Sequence, residues 1–173
     1  MNIKSKAEVT NKWYPVYTHA RAEKKAYQLL LEKGIKSYLP VRRQLKQWSD
    51  RKKWIDEPFI KSYLFVHIAE NEKAEVLMTR GIARFIYFGG KIATMPDRQM
   101  EDLKLLMTSG IELEITEENL LPGEKIILKA GPLKGMTGEI ISYRSQKQLA
   151  LRLENLGYSV IIHVAASLID RLK

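Results

Sequence analysis

The sequence predicts an α+β protein in two parts. The first is a split βαβ domain, ferredoxin-like in plan, carrying a long basic β-hairpin; the second is a small all-β, SH3-like barrel. Three observations carry this reading. Segments of strand period and of helical period alternate over the first 110 residues. The stretch Glu57–Val66 has an aliphatic face (Ile60, Leu64, Val66, continued by Ile68) and an aromatic one (Phe59, Tyr63, Phe65). Beyond residue 119 only short strand-like runs remain, divided by a loop rich in glycine.

Lys12–Thr18 (KWYPVYT) reads as a strand, and Pro15, which cannot donate to a ladder, places it at an edge or makes it locally irregular. A helix follows over Ala20–Lys33, with Ala22, Ala26, Leu29, Leu30 and Lys33 at helical spacing. Thr18 or His19 lies near its start, and Gly34 stands where a left-handed residue would end it. Ile35–Val41 reads as a strand. Arg42–Glu57 reads as a polar hairpin turning near Ser49-Asp50, with Arg42, Arg43, Lys46, Arg51, Lys52 and Lys53 set among Trp48 and Trp54. Cations interleaved with aromatics suit a phosphate backbone with a stacking option; the Arg/Lys set favours nucleic acid, whereas the tryptophans fit packing across the strands of a solvated hairpin better.

The two-faced strand comes next, then a short helix near Asn71–Thr79 with Ala74, Leu77 and Met78 inward. A strand over Gly81–Phe88 closes at Gly89-Gly90. The last helix of this part starts at Met95-Pro96-Asp97, where proline suits a first helical position and aspartate suits the helix dipole. Met100, Leu103, Leu106 and Met107 form its apolar stripe, and Gly110 ends it. Helices on the aliphatic face leave Phe59, Tyr63 and Phe65 on an open face, joined by Tyr17, Phe85 and Phe88. An exposed aromatic patch of that size marks a protein interface, unless another part of the chain covers it.

Residues 111–119 (IELEITEEN) are acidic and aperiodic, and are read as a linker between domains at 1–110 and 120–173. Strands are expected at Lys125–Lys129, Thr137–Tyr143, Leu149–Leu153 and Ser159–His163. The loop Gly131-Pro132-Leu133-Lys134-Gly135, with Gly138 beyond it, has the glycines that a tight turn and a bulged strand entry require.

The chain has 173 residues, 45% of them hydrophobic and 28% charged, as in soluble globular proteins. No cysteine is present, which excludes disulfides and thiolate metal sites. Apolar runs are too short to span a membrane, and the first twelve residues lack the apolar core of a secretion signal. A cytoplasmic location is therefore expected. The net charge of +9 is uneven: +9 over residues 1–61, −4 over 62–118 and +4 over 119–173. A basic first third fits a polyanion partner as well as it fits solubility.

Catalysis finds little support. His19, His67 and His163 have no partners at ligand spacing, and Asp56 and Glu57 adjoin on a strand, pointing to opposite faces. The Gly131–Gly135 loop lacks the GK[ST] of a phosphate loop. No enzyme activity, metal or cofactor is expected.

The first part resembles the N-terminal domain of NusG-family transcription elongation factors. The matching residues are Trp13-Tyr14, Arg21 with Glu23, Pro40, Glu57-Pro58-Phe59 through Tyr63-Leu64-Phe65-Val66, and Arg80-Gly81-Ile82 through Phe85–Gly90. The second part resembles a KOW domain, through Leu121-Pro122-Gly123-Glu124 and Gly131–Gly135 with Gly138. Together the resemblance covers roughly residues 12–173. It implies a factor that binds the clamp helices of RNA polymerase through Tyr17, Ile60, Tyr63, Phe65, Phe85 and Phe88. It further implies contact of His19, Arg21, Lys24 and Arg80 with the non-template DNA strand, and recruitment of a ribosomal small-subunit protein or Rho through the KOW domain. A monomer without membrane attachment is expected. Ile60-Lys61-Ser62, where housekeeping members have Phe-Pro-Gly, and the lack of their extra insertion make it most similar to specialised antiterminators of the RfaH or UpxY kind. The His-Thr-Thr motif of RfaH is replaced by Glu72-Lys73-Ala74-Glu75. The rival reading is a ribosome-associated RNA-binding protein that uses the KOW domain as its main module.

Overall fold

In the computed structural model, residues 10–172 are described apart from 119, 145, 154 and 155. The chain separates into two compact units: residues up to Leu39 with Ile60–Asp97, and Pro40–Phe59 with Arg98–Lys173.

The first unit contains β1 (Lys12–Thr18), α1 (Glu23–Glu32) and β2 (Ser37–Tyr38). The chain then leaves it for β3 (Val41–Gln47) and β4 (Lys52–Pro58), which belong to the second unit. It returns with β5 (Tyr63–Ile68), a 3-10 turn at Glu70–Glu72, α2 (Lys73–Leu77), β6 (Ile82–Phe85), β7 (Tyr87–Phe88) and β8 (Lys91–Ile92). The sheet order is β2-β5-β1-β6 with antiparallel neighbours, the split βαβ order that the sequence predicts.

Strand alternation sends Tyr14 and Val16 of β1 and Leu64, Val66 and Ile68 of β5 into one core. There they meet Ala26 and Leu30 of α1 and Val76 of α2. Full burial of each such aliphatic side chain contributes roughly 1.5–3 kcal/mol. The other face of β1 and β5 is aromatic, as expected, with Trp13 against His67 and Tyr17 against Tyr63.

Several element boundaries differ from the sequence reading. Helix α1 starts at Glu23 because Arg21, at φ 61°, sits in the left-handed region and interrupts the helical path. It ends as expected at Gly34, φ 75°. The strand expected over 35–41 shortens to Ser37–Tyr38, although Ile35 and Leu39 stay in the core. In α2 the inward residue is Val76, while Ala74, Leu77 and Met78 are exposed. The preceding 3-10 turn, where Glu72 accepts the Ala69 N–H at 2.7 Å, sets a different helical phase. The expected strand over Gly81–Phe88 divides into β6 and the β7–β8 hairpin, turned by Gly89 and Gly90 at positive φ.

In the second unit β3 and β4 pair as a hairpin, Val41 against Pro58 through Gln47 against Lys52. Helix α3 (Asp97–Thr108) buries Met100, Leu103 and Leu106 of its expected stripe, while Met107 is half-buried. Six strands follow: β9 (Leu113–Thr116), β10 (Glu124–Leu128), β11 (Thr137–Tyr143), β12 (Gln146–Leu153), β13 (Tyr158–Ile162) and β14 (Ile169–Arg171). Their order is β14-β10-β11-β12-β13-β9. Strand β9 lies within the stretch read as a linker. Its acidic residues hid a ladder that pairs Leu113 with Ile162 and Ile115 with Val160. At Gly138 a Cβ would stand 2.8 Å from Leu149 Cδ1 and 2.9 Å from the Ala150 carbonyl oxygen, so β11 approaches β12 only with glycine there.

Candidate functional site

Three surfaces gather the residues singled out by sequence. The first lies at one end of the aromatic face in the first unit. Tyr17 and Tyr63 are cross-strand partners, their rings edge to face at 5.3 Å, and both are half-buried. Such pairs favour this geometry because the positive ring edge meets the negative ring face. The Arg84 guanidinium stands 5.2 Å over Tyr17 and is exposed, adding a cation to the patch. Sequence parity missed Arg84. A register shift between Tyr17 and Thr18 pairs Arg84 with Tyr17 and Phe85 with Val16.

That shift corrects the expected open face. Phe85 points into the helix-side core, edge to face with Tyr14 at 5.9 Å, and is buried. Phe65, paired with Pro15 and Tyr38 on either side, is fully buried; Ile60 is 1% exposed and Phe59 4%. None of these four is presented on the surface. Phe88, at 63%, is exposed beside Tyr87 on the β7–β8 hairpin, in a separate two-stranded sheet.

The rim of the patch is built by backbone contacts. The His19 N–H donates to the Gly81 carbonyl at 2.9 Å, and the Thr18 N–H to the Ser62 carbonyl at 2.8 Å. Glu23, buried at the start of α1, accepts the Ser62 N–H at 2.8 Å and so pins Ser62, itself at φ 61°. Gly81, at φ 96°, leaves 3.2 Å between a would-be Cβ and the methyls of Ala22 and Ala26. A larger residue there would push the strand from the helix. The loop before α1 and the loop before β6 are thus adjacent and carry His19, Arg21 and Arg80, with Lys24 in the first turn of α1; all four are exposed.

The second surface is the β3–β4 hairpin. Arg42, Arg43, Lys46, Arg51, Lys52 and Lys53 are all exposed on it. Lys46 forms an ion pair with Glu57, whereas the other five form none among the described residues. Arg42 stands 5.9 Å over Phe59 and Arg43 5.5 Å over Trp54. Trp48 and Trp54 are 57% and 55% exposed, and Trp54 faces Leu45 across the strands rather than the other tryptophan.

The third is the loop between β10 and β11. Gly131 and Gly135 adopt positive φ, and Leu133 is buried beneath the loop while Lys134 and Pro132 are exposed. The Gly135 N–H donates to Leu128 and the Leu128 N–H to Met136, closing the loop at its base. Arg98 of α3 donates to the Gly135 carbonyl. Two side chains therefore serve the fold here, and Pro132 and Lys134 are what the loop offers outward.

These surfaces define a class: an α+β protein whose candidate sites are exposed aromatic and cationic patches on rigid strands. The comparisons with known proteins specify it further. The model of the family described as transcription termination factor nusG matches residues 11–104, and the chain belongs to the NusG family. It is thus a transcription factor of that family. Among solved structures the chain is similar to that described as "Domain interaction in Thermotoga maritima NusG". The identity is 19% and the TM-score 0.52, over 95% of this chain and 98% of that one. It also aligns with the MjSpt4:Spt5 complex in conformation A, at 17% identity and a TM-score of 0.29, over 93% of this chain and 98% of that one.

Proposed function

We propose that this protein is a cytoplasmic elongation and antitermination factor. It binds RNA polymerase through residues 1–110, suppresses pausing and termination on selected operons, and recruits a second partner through residues 120–173. The observation that carries this is the accessible Tyr17–Tyr63–Arg84 patch on the face of the sheet opposite α1 and α2, within the segment matched to the NusG family.

An amphipathic aromatic pair flanked by a cation is the composition of a binding hot spot, because a large rigid area is buried at small entropic cost. We assign Tyr17, Tyr63 and Arg84 to the polymerase contact, with Phe88 as an outlying apolar residue. The adjoining rim of His19, Arg21, Lys24 and Arg80 faces the non-template strand, whose splayed bases suit stacking by arginine and histidine. Action on selected operons is favoured by Ile60-Lys61-Ser62 and the compact loop around it. The β10–β11 loop, with Pro132 and Lys134 outward, serves the second partner, a ribosomal small-subunit protein or Rho.

Affinity capture of the tagged protein from native lysate tests the reading. RNA polymerase subunits in the wild-type eluate, depleted with Tyr63→Ala, are the expected result. Ribosomal RNA without polymerase would replace this reading with that of a ribosome-associated protein.

A further inference from the structure

The β3–β4 hairpin has two unlike faces, and neither is used by the polymerase patch. Strand alternation puts Val41, Arg43, Leu45, Trp54 and Asp56 on one side. Arg42, Gln44, Lys46, Lys53, Ile55 and Glu57 lie on the other. The first side leaves Leu45 49% exposed opposite Trp54, with the Arg43 guanidinium against the indole. On the second, Lys46 stands opposite Lys53; Glu57 neutralises Lys46, and Lys53 forms no ion pair among the described residues. At the tip the Trp48 N–H donates to the Arg51 carbonyl at 2.8 Å, so an exposed indole projects from a closed turn next to Arg51 and Lys52.

A hairpin that served only solubility would not expose two indoles. Duplex nucleic acid has its bases stacked and offers them no ring face. An unpaired strand offers ring faces to Trp48 and to the side of Trp54 away from Arg43, and phosphates to Arg42, Arg51, Lys52 and Lys53, which form no ion pairs among the described residues. Six cations against the three carboxylates of Asp50, Asp56 and Glu57 leave the hairpin complementary to that backbone. We propose that the hairpin is a binding arm for single-stranded DNA, reading the strand's unpaired state through base stacking on Trp48 and Trp54. The inference rests on the non-template-strand contact proposed above for the rim of His19, Arg21, Lys24 and Arg80. It commits to DNA because the proposed function sets an unpaired DNA strand beside the protein.

The test uses the full chain and a labelled oligo(dT) of about 15 nucleotides, near the upper site size of a single small module. Trp13 is buried, so quenching of exposed tryptophan emission reports the hairpin. The strand should quench that emission and bind with higher affinity than the matching duplex. Trp54→Ala and Trp48→Ala should each weaken binding roughly tenfold. Trp54→Phe should retain most of the affinity, which separates stacking from loss of the fold, and circular dichroism should show unchanged melting. Equal affinity for duplex and single strand would overturn the proposal, as would alanine variants that bind like wild type. A clear preference for oligo(U) would overturn the assignment to DNA. Failure here with intact polymerase capture would sink the arm alone and leave the proposed function standing.

Discussion

Strand β5 and the β3–β4 hairpin are neighbours in the chain, both antiparallel and both rich in aromatics, yet their side chains meet opposite fates. In β5 every residue but Tyr63 and His67 is buried, and its two flanking strands satisfy both of its hydrogen-bonding edges. In the hairpin only Gln44, Ile55, Glu57 and Pro58 are even half-buried, and each strand has one partner. Aromatic content therefore does not mark a binding surface by itself. Phe65 and Tyr63 share one strand and one face, yet Phe65 is core and Tyr63 stays accessible, so the packing at each position decides whether a ring is core or is offered to a partner.

The comparison is broken most directly at Phe65. Phe65→Ala removes a fully buried ring, and denaturant titration should show a loss of about 3–5 kcal/mol. Stability within about 1 kcal/mol of wild type would mean that the ring is not core. Two residues away on the same face, Tyr63→Ala should weaken polymerase capture by about 2 kcal/mol. Its melting temperature should fall far less than that of the phenylalanine variant.

On the hairpin side, replacing Arg51, Lys52 and Lys53 by serine should leave melting nearly unchanged, since all three are exposed and form no ion pairs among the described residues. Fitted to log affinity against log salt, binding to single-stranded DNA should lose about 0.7 from its slope for each phosphate contact removed. An unchanged slope would make the hairpin a solvated face.

The smallest effect is expected at Asp102 of α3. Burial raises its pKa from the ordinary aspartate value, with the Arg98 guanidinium opposing that shift only in part. The folded state thus holds the proton more tightly than the unfolded chain. The stability this confers is present below the unfolded pKa and is lost as pH rises through the folded one. Asp102→Asn should match wild type in acid and melt at a higher temperature near neutrality. A gap that widens towards low pH would reverse the sign and refute the burial argument.

Much of this architecture was legible in the chain because its signals are local. The period of two in β5, the stripe of α3, Gly34 and the Gly89-Gly90 turn act through backbone geometry and side-chain alternation. So do the residues that carry the family resemblance. Family membership and the order of elements followed from them. What lay beyond such signals was non-local. The extra residue in β6 that turns Phe85 into the core and brings Arg84 to Tyr17 is set by the pairing of β6 with β1, more than sixty residues earlier. Strand β9 exists because β13, some forty residues later, gives its acidic segment a ladder. The burial of Phe65, Ile60 and Phe85 likewise depends on what the fold packs around them. Alternation states which side chains share a face; only long-range pairing and packing determine which face meets water.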